Sequence, residues 1–129
     1  IGCAQQVIDD AVRYAGERKQ FGQPIGKFQA IAHLLADLQV EVDAARWLLY
    51  RAAWIVDSGA RCIKEASMAN LACTEALLQV TSESMRVYGG YGLTMEFDIQ
   101  RHFRDARLFV IGDGSSQIQR NLIARSMGL

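Results

Sequence analysis

KFQAIAHLLADLQVEVDAARWLLYRAAWIVD, residues 27–57, decides the fold. Its apolar residues Ile31, Leu34, Leu35, Leu38, Val42, Ala45, Leu49, Ala52 and Val56 recur three and four positions apart. That is the period of one face of an α-helix, sustained along the whole stretch. Residues 60–87 repeat it with Ile63, Ala66, Ala69, Cys73, Ala76, Leu77, Val80 and Val87. Two such helices joined by a short Ser58-Gly59 turn must run antiparallel. Upstream, Val7, Ile8, Ala11, Val12 and Ala15 predict a helix over residues 1–19. Downstream, residues 98–109 predict a shorter one. Ser115 or Ser116 stands where a hydroxyl accepts from the orphan N–H groups of a last helix running through residue 127. No segment alternates as a strand does. The expected class is all-α, an up-down four-helix bundle with short extra helices.

The chain has 129 residues, half of them apolar, 22% charged, with zero formal net charge. That suits one domain with its own core. The apolar content excludes disorder. Charged residues and Gln interrupt every apolar run before the roughly 20 residues of a membrane span. Neutrality argues against a nucleic-acid partner, which needs a net basic face. Eleven of the basic residues are Arg, the side chain suited to bidentate pairing with carboxylate or phosphate. Cys3, Cys62 and Cys73 form no CxxC and read as small apolar residues of a reducing compartment. No secretory pattern is present, and Ile1-Gly2-Cys3-Ala4 reads as the middle of an element. The chain is therefore expected to be part of a larger protein.

Two histidines, His33 and His102, belong to no ExxH or HxxxH pair, so no metal site is expected. No G-x-S-x-G elbow is present. The segment from Gly16 to Ile25 offers a cation, Arg18, and an aromatic, Phe21, beside Gly22 and Pro24. That pairing could grip a phosphate and a planar ring. A helix C-cap, with Arg18 and Lys19 complementing the helix dipole, is the simpler reading of these residues alone. Asp113 lies between Gly112 and Gly114 just before a helix start. It could project into a cleft, but turn chemistry or capping explains it as well. Arg101, Arg104 and Arg107 share one helix face, with Asp98 and Asp105 in reach as partners.

Three blocks taken together resemble one family. Glu17-Arg18-Lys19-Gln20-Phe21-Gly22-Gln23-Pro24-Ile25 is similar to the ERxQFGxxI block of the acyl-CoA dehydrogenases. Tyr88-Gly89-Gly90-Tyr91-Gly92 resembles their GGxG turn. Arg104-Asp105-Ala106-Arg107, followed by Gly112-Asp113-Gly114-Ser115-Ser116-Gln117-Ile118-Gln119-Arg120, resembles their RDARxxxIxEGTxxIQR ending. Order and spacing agree along essentially the whole chain, and the resemblance is to the C-terminal helical domain. It implies absent N-terminal α and middle β domains. It also implies an FAD shared across a subunit interface in a homo-dimer or homo-tetramer.

On that resemblance Arg18 binds the pyrophosphate of the neighbouring subunit's FAD, Phe21 packs on its adenine, and Gln20 hydrogen-bonds nearby. Gln29 and Ile25 complete the wall, and Gly90 lets the backbone approach. Ser115 and Gln117 contact a flavin. The implied chemistry removes the α proton of an acyl-CoA thioester while hydride leaves the β carbon for flavin N5, giving a 2-enoyl-CoA. An electron-transfer flavoprotein is the expected acceptor. The expected setting is a bacterial cytoplasm or a mitochondrial matrix.

The departures are informative. The family's usual Glu base is Asp113 here, one methylene shorter. Gly112 replaces a frequent aromatic. With Gly114, Gly112 is expected to line a substrate pocket widened for a branched, cyclic or aryl-bearing acyl group. Asp113 would need its ordinary pKa of about 3.9 raised by burial to act near neutrality. Arg86 stands where many members carry a Gln near the flavin. It either places a charge at the partner's FAD or turns outward. Some members carry the base as a Glu upstream of the position of Ile1, which would make Asp113 a bystander. Two other readings are a flavin oxidase of nitroalkane-oxidase type and a non-catalytic assembly domain. The 129-residue chain by itself is expected to be colourless and inactive.

Overall fold

A computed structural model describes residues 1–112 and 114–129. Helix α1 runs Gly2–Glu17, α2 Gln29–Asp57, α3 Ile63–Tyr88, α4 Ile99–Phe109 and α5 Ser116–Ser126. A ribbon of β1 (Lys19–Gln20) and β2 (Gln23–Pro24) and a 3₁₀ turn, Ile25–Lys27, join α1 to α2. A second 3₁₀ turn, Gly89–Leu93, follows α3.

Helix α3 is the axis of the molecule, packed by α1, α2, α4 and α5. Its neighbours on several sides explain why it buries Ser67, Thr81 and Ser84 as well as Ala76, Leu77 and Val80. Thr81 satisfies its hydroxyl by donating to the Leu77 carbonyl at 2.9 Å. Helix α1 presents Ala4, Val7, Ile8, Ala11 and Ala15 to the core. Helix α2 adds Leu35, Leu38 and Val42. The α2–α3 turn closes with paired bonds, Gly59 N–H to the Val56 carbonyl and Ala60 N–H to the Ile55 carbonyl. This Schellman arrangement reverses the chain within five residues, 58–62, as the Ser58-Gly59 pair predicts.

Several expectations need correction. Val12 and Ile63, both placed on apolar stripes, are exposed at 52% and 47%. Leu49 and Val56 are exposed, at 40% and 58%. They continue the walk from Val42 along one flank of the stripe, which leaves the buried face, while the walk Leu38, Ala45, Ala52 along the other flank stays on it. The seam passes instead through Ala45, Ala52 and the half-buried Ile55. A strand pair exists, because two-residue strands are too short to show alternation. Ser115 is the N-cap of α5 by backbone position, but its side chain makes no cap bond, and the Ser116 hydroxyl is buried without a partner. Helix α1 ends at Glu17, two residues short of the predicted end at 19, with Arg18 as its C-cap.

Candidate functional site

Arg18 leaves α1 in extended geometry, its N–H donating to the Tyr14 carbonyl at 2.8 Å. In the ribbon Lys19 faces Pro24 and Gln20 faces Gln23, and the Ile25 N–H closes it on the Arg18 carbonyl at 2.8 Å. The two turn residues both have positive φ, Phe21 at 53° and Gly22 at 80°. A two-residue turn of this kind matches the natural twist of a hairpin. Glycine accepts that geometry freely, whereas Phe21 is strained by about 1–3 kcal/mol. Its ring is 93% exposed and touches only Phe28 among aromatic neighbours, edge-on with centroids 6.1 Å apart. A strained turn that displays a bare aromatic ring does little for this chain's own core.

Behind the ribbon lies an open cavity of about 610 Å³. Arg18, Gln20, Ile25, Arg86 and Gly90 line it together, so the fold gathers five predicted residues from two distant segments. Its floor is an aromatic cluster the sequence reading missed. Tyr14 stacks on Tyr88 with centroids 4.3 Å apart, and Phe97 meets Tyr14 edge-on at 5.4 Å. Tyr91 extends the cluster, and the Arg18 guanidinium sits over its ring at 5.2 Å. Helical spacing carries part of this signal, since Tyr14 stands four residues before Arg18 on the same face. Among the described residues no carboxylate pairs with Arg18, while Arg86 pairs with Glu83 and is largely exposed at the cavity rim.

Burial beneath the cleft pushes the Tyr88 phenol up to about 12, with the Asp10 charge adding to the effect. The folded state therefore holds this proton more tightly than the unfolded chain, whose tyrosines titrate near pH 10. The resulting stability is full below about pH 10 and is lost as pH rises through about 12. Tyr88→Phe keeps the stacked ring. It is expected to flatten the alkaline fall in stability, measured by urea unfolding on either side of pH ~10.

The second group of predicted residues sits elsewhere. Gly112, Gly114, Ser115 and Gln117 occupy the α4–α5 connection and the start of α5. Asp113 lies outside the described residues. Gly112 lines a pocket of about 230 Å³ with Asn70, Thr74, Leu108 and Phe109. Thr74 precedes Arg86 by twelve residues on α3, about 18 Å of helix. The two groups therefore serve separate places on the molecule. Phe21 and Gln29 flank the first cavity without lining it, one on the ribbon turn and the other opening α2. A Cβ at Gly112 would stand 3.1 Å from the Leu108 carbonyl, so the missing side chain there has a packing reason of its own. Of the arginine stripe, Arg101 pairs with Asp98 at 3.2 Å. Arg104 instead bonds the Gln100 side chain, and Arg107 stacks over Phe103 at 4.3 Å.

Residues 1–128 match the family described as acyl-CoA dehydrogenase, C-terminal domain. The chain belongs to that family. It is 45% identical over 127 residues to the benzylmalonyl-CoA dehydrogenase of Aromatoleum aromaticum, covering 98% of this chain and 34% of that one. It is 42% identical over 124 residues to the caffeyl-CoA reductase-Etf complex subunit CarC of Acetobacterium woodii, covering 96% of this chain and 33% of the relative. Among solved structures, butyryl-CoA dehydrogenase from Megasphaera elsdenii superposes with a TM-score of 0.97 at 34% identity, covering 99% of this chain and 33% of that one. The chain thus spans about a third of the length of the relatives it matches.

Within the acyl-CoA dehydrogenase blocks, the GGxG turn separates residues the fold needs from one it does not. Gly89 has φ +59°, and a Cβ on Gly92 would press within 3.1 Å of Met85 and Tyr88. Gly90 has neither constraint, since a Cβ there meets nothing within 4 Å. Its bare backbone opens on the cavity beside Arg18 and Arg86. That wall suits a ligand with an anionic group and a close-approaching backbone contact, and Phe21 offers a face for a planar ring.

Proposed function

We propose that this chain is the flavin-facing helical domain of an acyl-CoA dehydrogenase, lending one wall to an FAD site completed by other domains and a second subunit. The observation that carries the reading is the cleft joining Arg18, Arg86 and the unneeded glycine Gly90 beside the strained, bare ring of Phe21. Arg18 holds the pyrophosphate, Phe21 covers the adenine, and Gln20, Ile25 and Gln29 complete the wall. Ser115 and Gln117, in the second group of residues, face a flavin ring. Bound FAD supplies the acceptor for the hydride that leaves the substrate β carbon. Asp113 takes the α proton of the acyl-CoA thioester. The separation of the two residue groups supports their serving the cofactors of two subunits.

The exposed face of α2 supports a homo-oligomer. Val40, Trp47, Tyr50 and Trp54 recur at helical spacing on it and are 53–70% exposed. No helix among the described residues is long and apolar enough to cross a membrane. The reading places the protein in a bacterial cytoplasm or mitochondrial matrix with an electron-transfer flavoprotein as acceptor, in keeping with the Etf complex named for one relative.

The shorter Asp113 supports a branched, cyclic or aryl-bearing acyl group, and the benzylmalonyl and caffeyl names of two relatives lean the same way. The test is anaerobic reduction of the complete flavoprotein by a panel of acyl-CoA thioesters. Aryl or cyclic thioesters are expected to bleach it fastest, and Asp113→Glu combined with Gly112→Tyr to shift the preference to straight chains. An unchanged profile would count against the widened pocket. Fast reoxidation by O₂ would favour an oxidase instead.

A further inference from the structure

The loop ahead of α5 is gripped by a residue that nothing so far assigns a role. Gln119 is only 7% exposed, and an amide is costly to bury unless bonded. Its Nε2 donates to the Gly114 carbonyl at 3.1 Å. That bond does not cap α5. The orphan groups at a helix N-terminus are N–H donors, and an amide NH₂ cannot satisfy them. The bond therefore serves the loop. Gly114 has φ +92°, and a Cβ there would stand 2.8 Å from the same Nε2. The amide reaches the carbonyl because position 114 is glycine. Two further ties frame the loop: Gly112 N–H to the Leu108 carbonyl at 2.7 Å, and Ser116 N–H to the Val110 carbonyl at 3.2 Å. The Ser116 hydroxyl takes no part, being buried without a partner.

We infer that Gln119 is the positioning residue for the loop that carries Asp113 and Ser115, an inference that rests on the reading of Asp113 as the α-proton base. Gln119 touches neither substrate nor cofactor in this role. It acts through the Gly114 backbone, fixing the loop from the solvent-shielded side of α5. A base displaced by about 1 Å loses roughly a hundredfold in rate, so the grip matters to chemistry far more than to folding.

The test uses the complete flavoprotein and Gln119→Met, which keeps the side chain's length and cannot donate. Amide exchange is read first, without FAD. Exchange over residues 110–116 is expected to rise about tenfold or more, with the core of α3 unchanged. Anaerobic bleaching by acyl-CoA is then expected to slow roughly ten- to a hundredfold, with FAD content and substrate Kd unchanged. Parental exchange and parental bleaching would overturn the inference. So would slowing that only tracks lost FAD or a lowered Tm. Asp113→Asn run alongside separates the failures. An inactive Asp113→Asn with parental Gln119→Met overturns the positioning role alone. A fully active Asp113→Asn removes the base reading and this inference with it.

Discussion

Arg18→Ala in the complete protein is expected to yield a folded, helical enzyme that purifies nearly free of FAD. The guanidinium serves the fold little, because α1 is ended by the Arg18 backbone and not by its side chain. Its cation–π contact over the Tyr91 ring is worth about 0.5–1 kcal/mol at a partly open site. Against a pyrophosphate, the same group makes charge-assisted bonds worth about 1.5–3 kcal/mol. FAD affinity should therefore fall roughly ten- to a hundredfold, while the FAD-stripped variant and the FAD-stripped parental protein unfold at similar temperatures. Arg18→Lys restores the charge but not the planar fork, so it should recover only part of the affinity. Flavin content after gel filtration, beside a circular dichroism melt, checks both halves. A variant that keeps its full flavin would leave the cleft without its proposed ligand.

Asp113→Asn is expected to have the second large effect, on rate and not on flavin content. Asn preserves size and cannot take a proton. General-base catalysis contributes about 10²–10⁴-fold, and the anaerobic bleaching rate should fall by that order. In the parental protein the rate should fall as pH drops through the pKa of the base. Bleaching that survives the substitution would remove the base assignment from Asp113 and leave the family membership intact.

The bundle was legible because its helices are long and their period is unambiguous. Val42, Leu38 and Leu35 on α2 and Val80, Leu77 and Ala76 on α3 are buried as their spacing predicts. The misreadings occurred where period and packing part company. Leu49 and Val56 lie on the flank of the stripe that leaves the buried face, while Leu38, Ala45 and Ala52 stay on it. The ribbon at residues 19–24 is set by turn geometry at Phe21 and Gly22, which no alternation announces. Arg18, Gln20, Ile25 and Gly90 were legible through the family blocks alone, and Arg86 only as a departure from the family whose direction the sequence left open. On spacing, Arg18 looked like the end of a helix. What the blocks did not carry was the support. Tyr14, Tyr91 and Phe97 meet only in the folded chain, and Gln119 reads in the sequence as an ordinary polar residue of α5. Its burial and its grip on Gly114 depend on how α5 lies against α3.

Hydrogen exchange of the complete protein, stripped of FAD and then reconstituted, tests the central claim most directly. Protection on adding FAD should appear over residues 18–25 and 86–94, the two segments that build the cleft, and separately over residues 112–117. Protection confined to other parts of the protein, with residues 18–25 and 86–94 exchanging equally in both states, would contradict it.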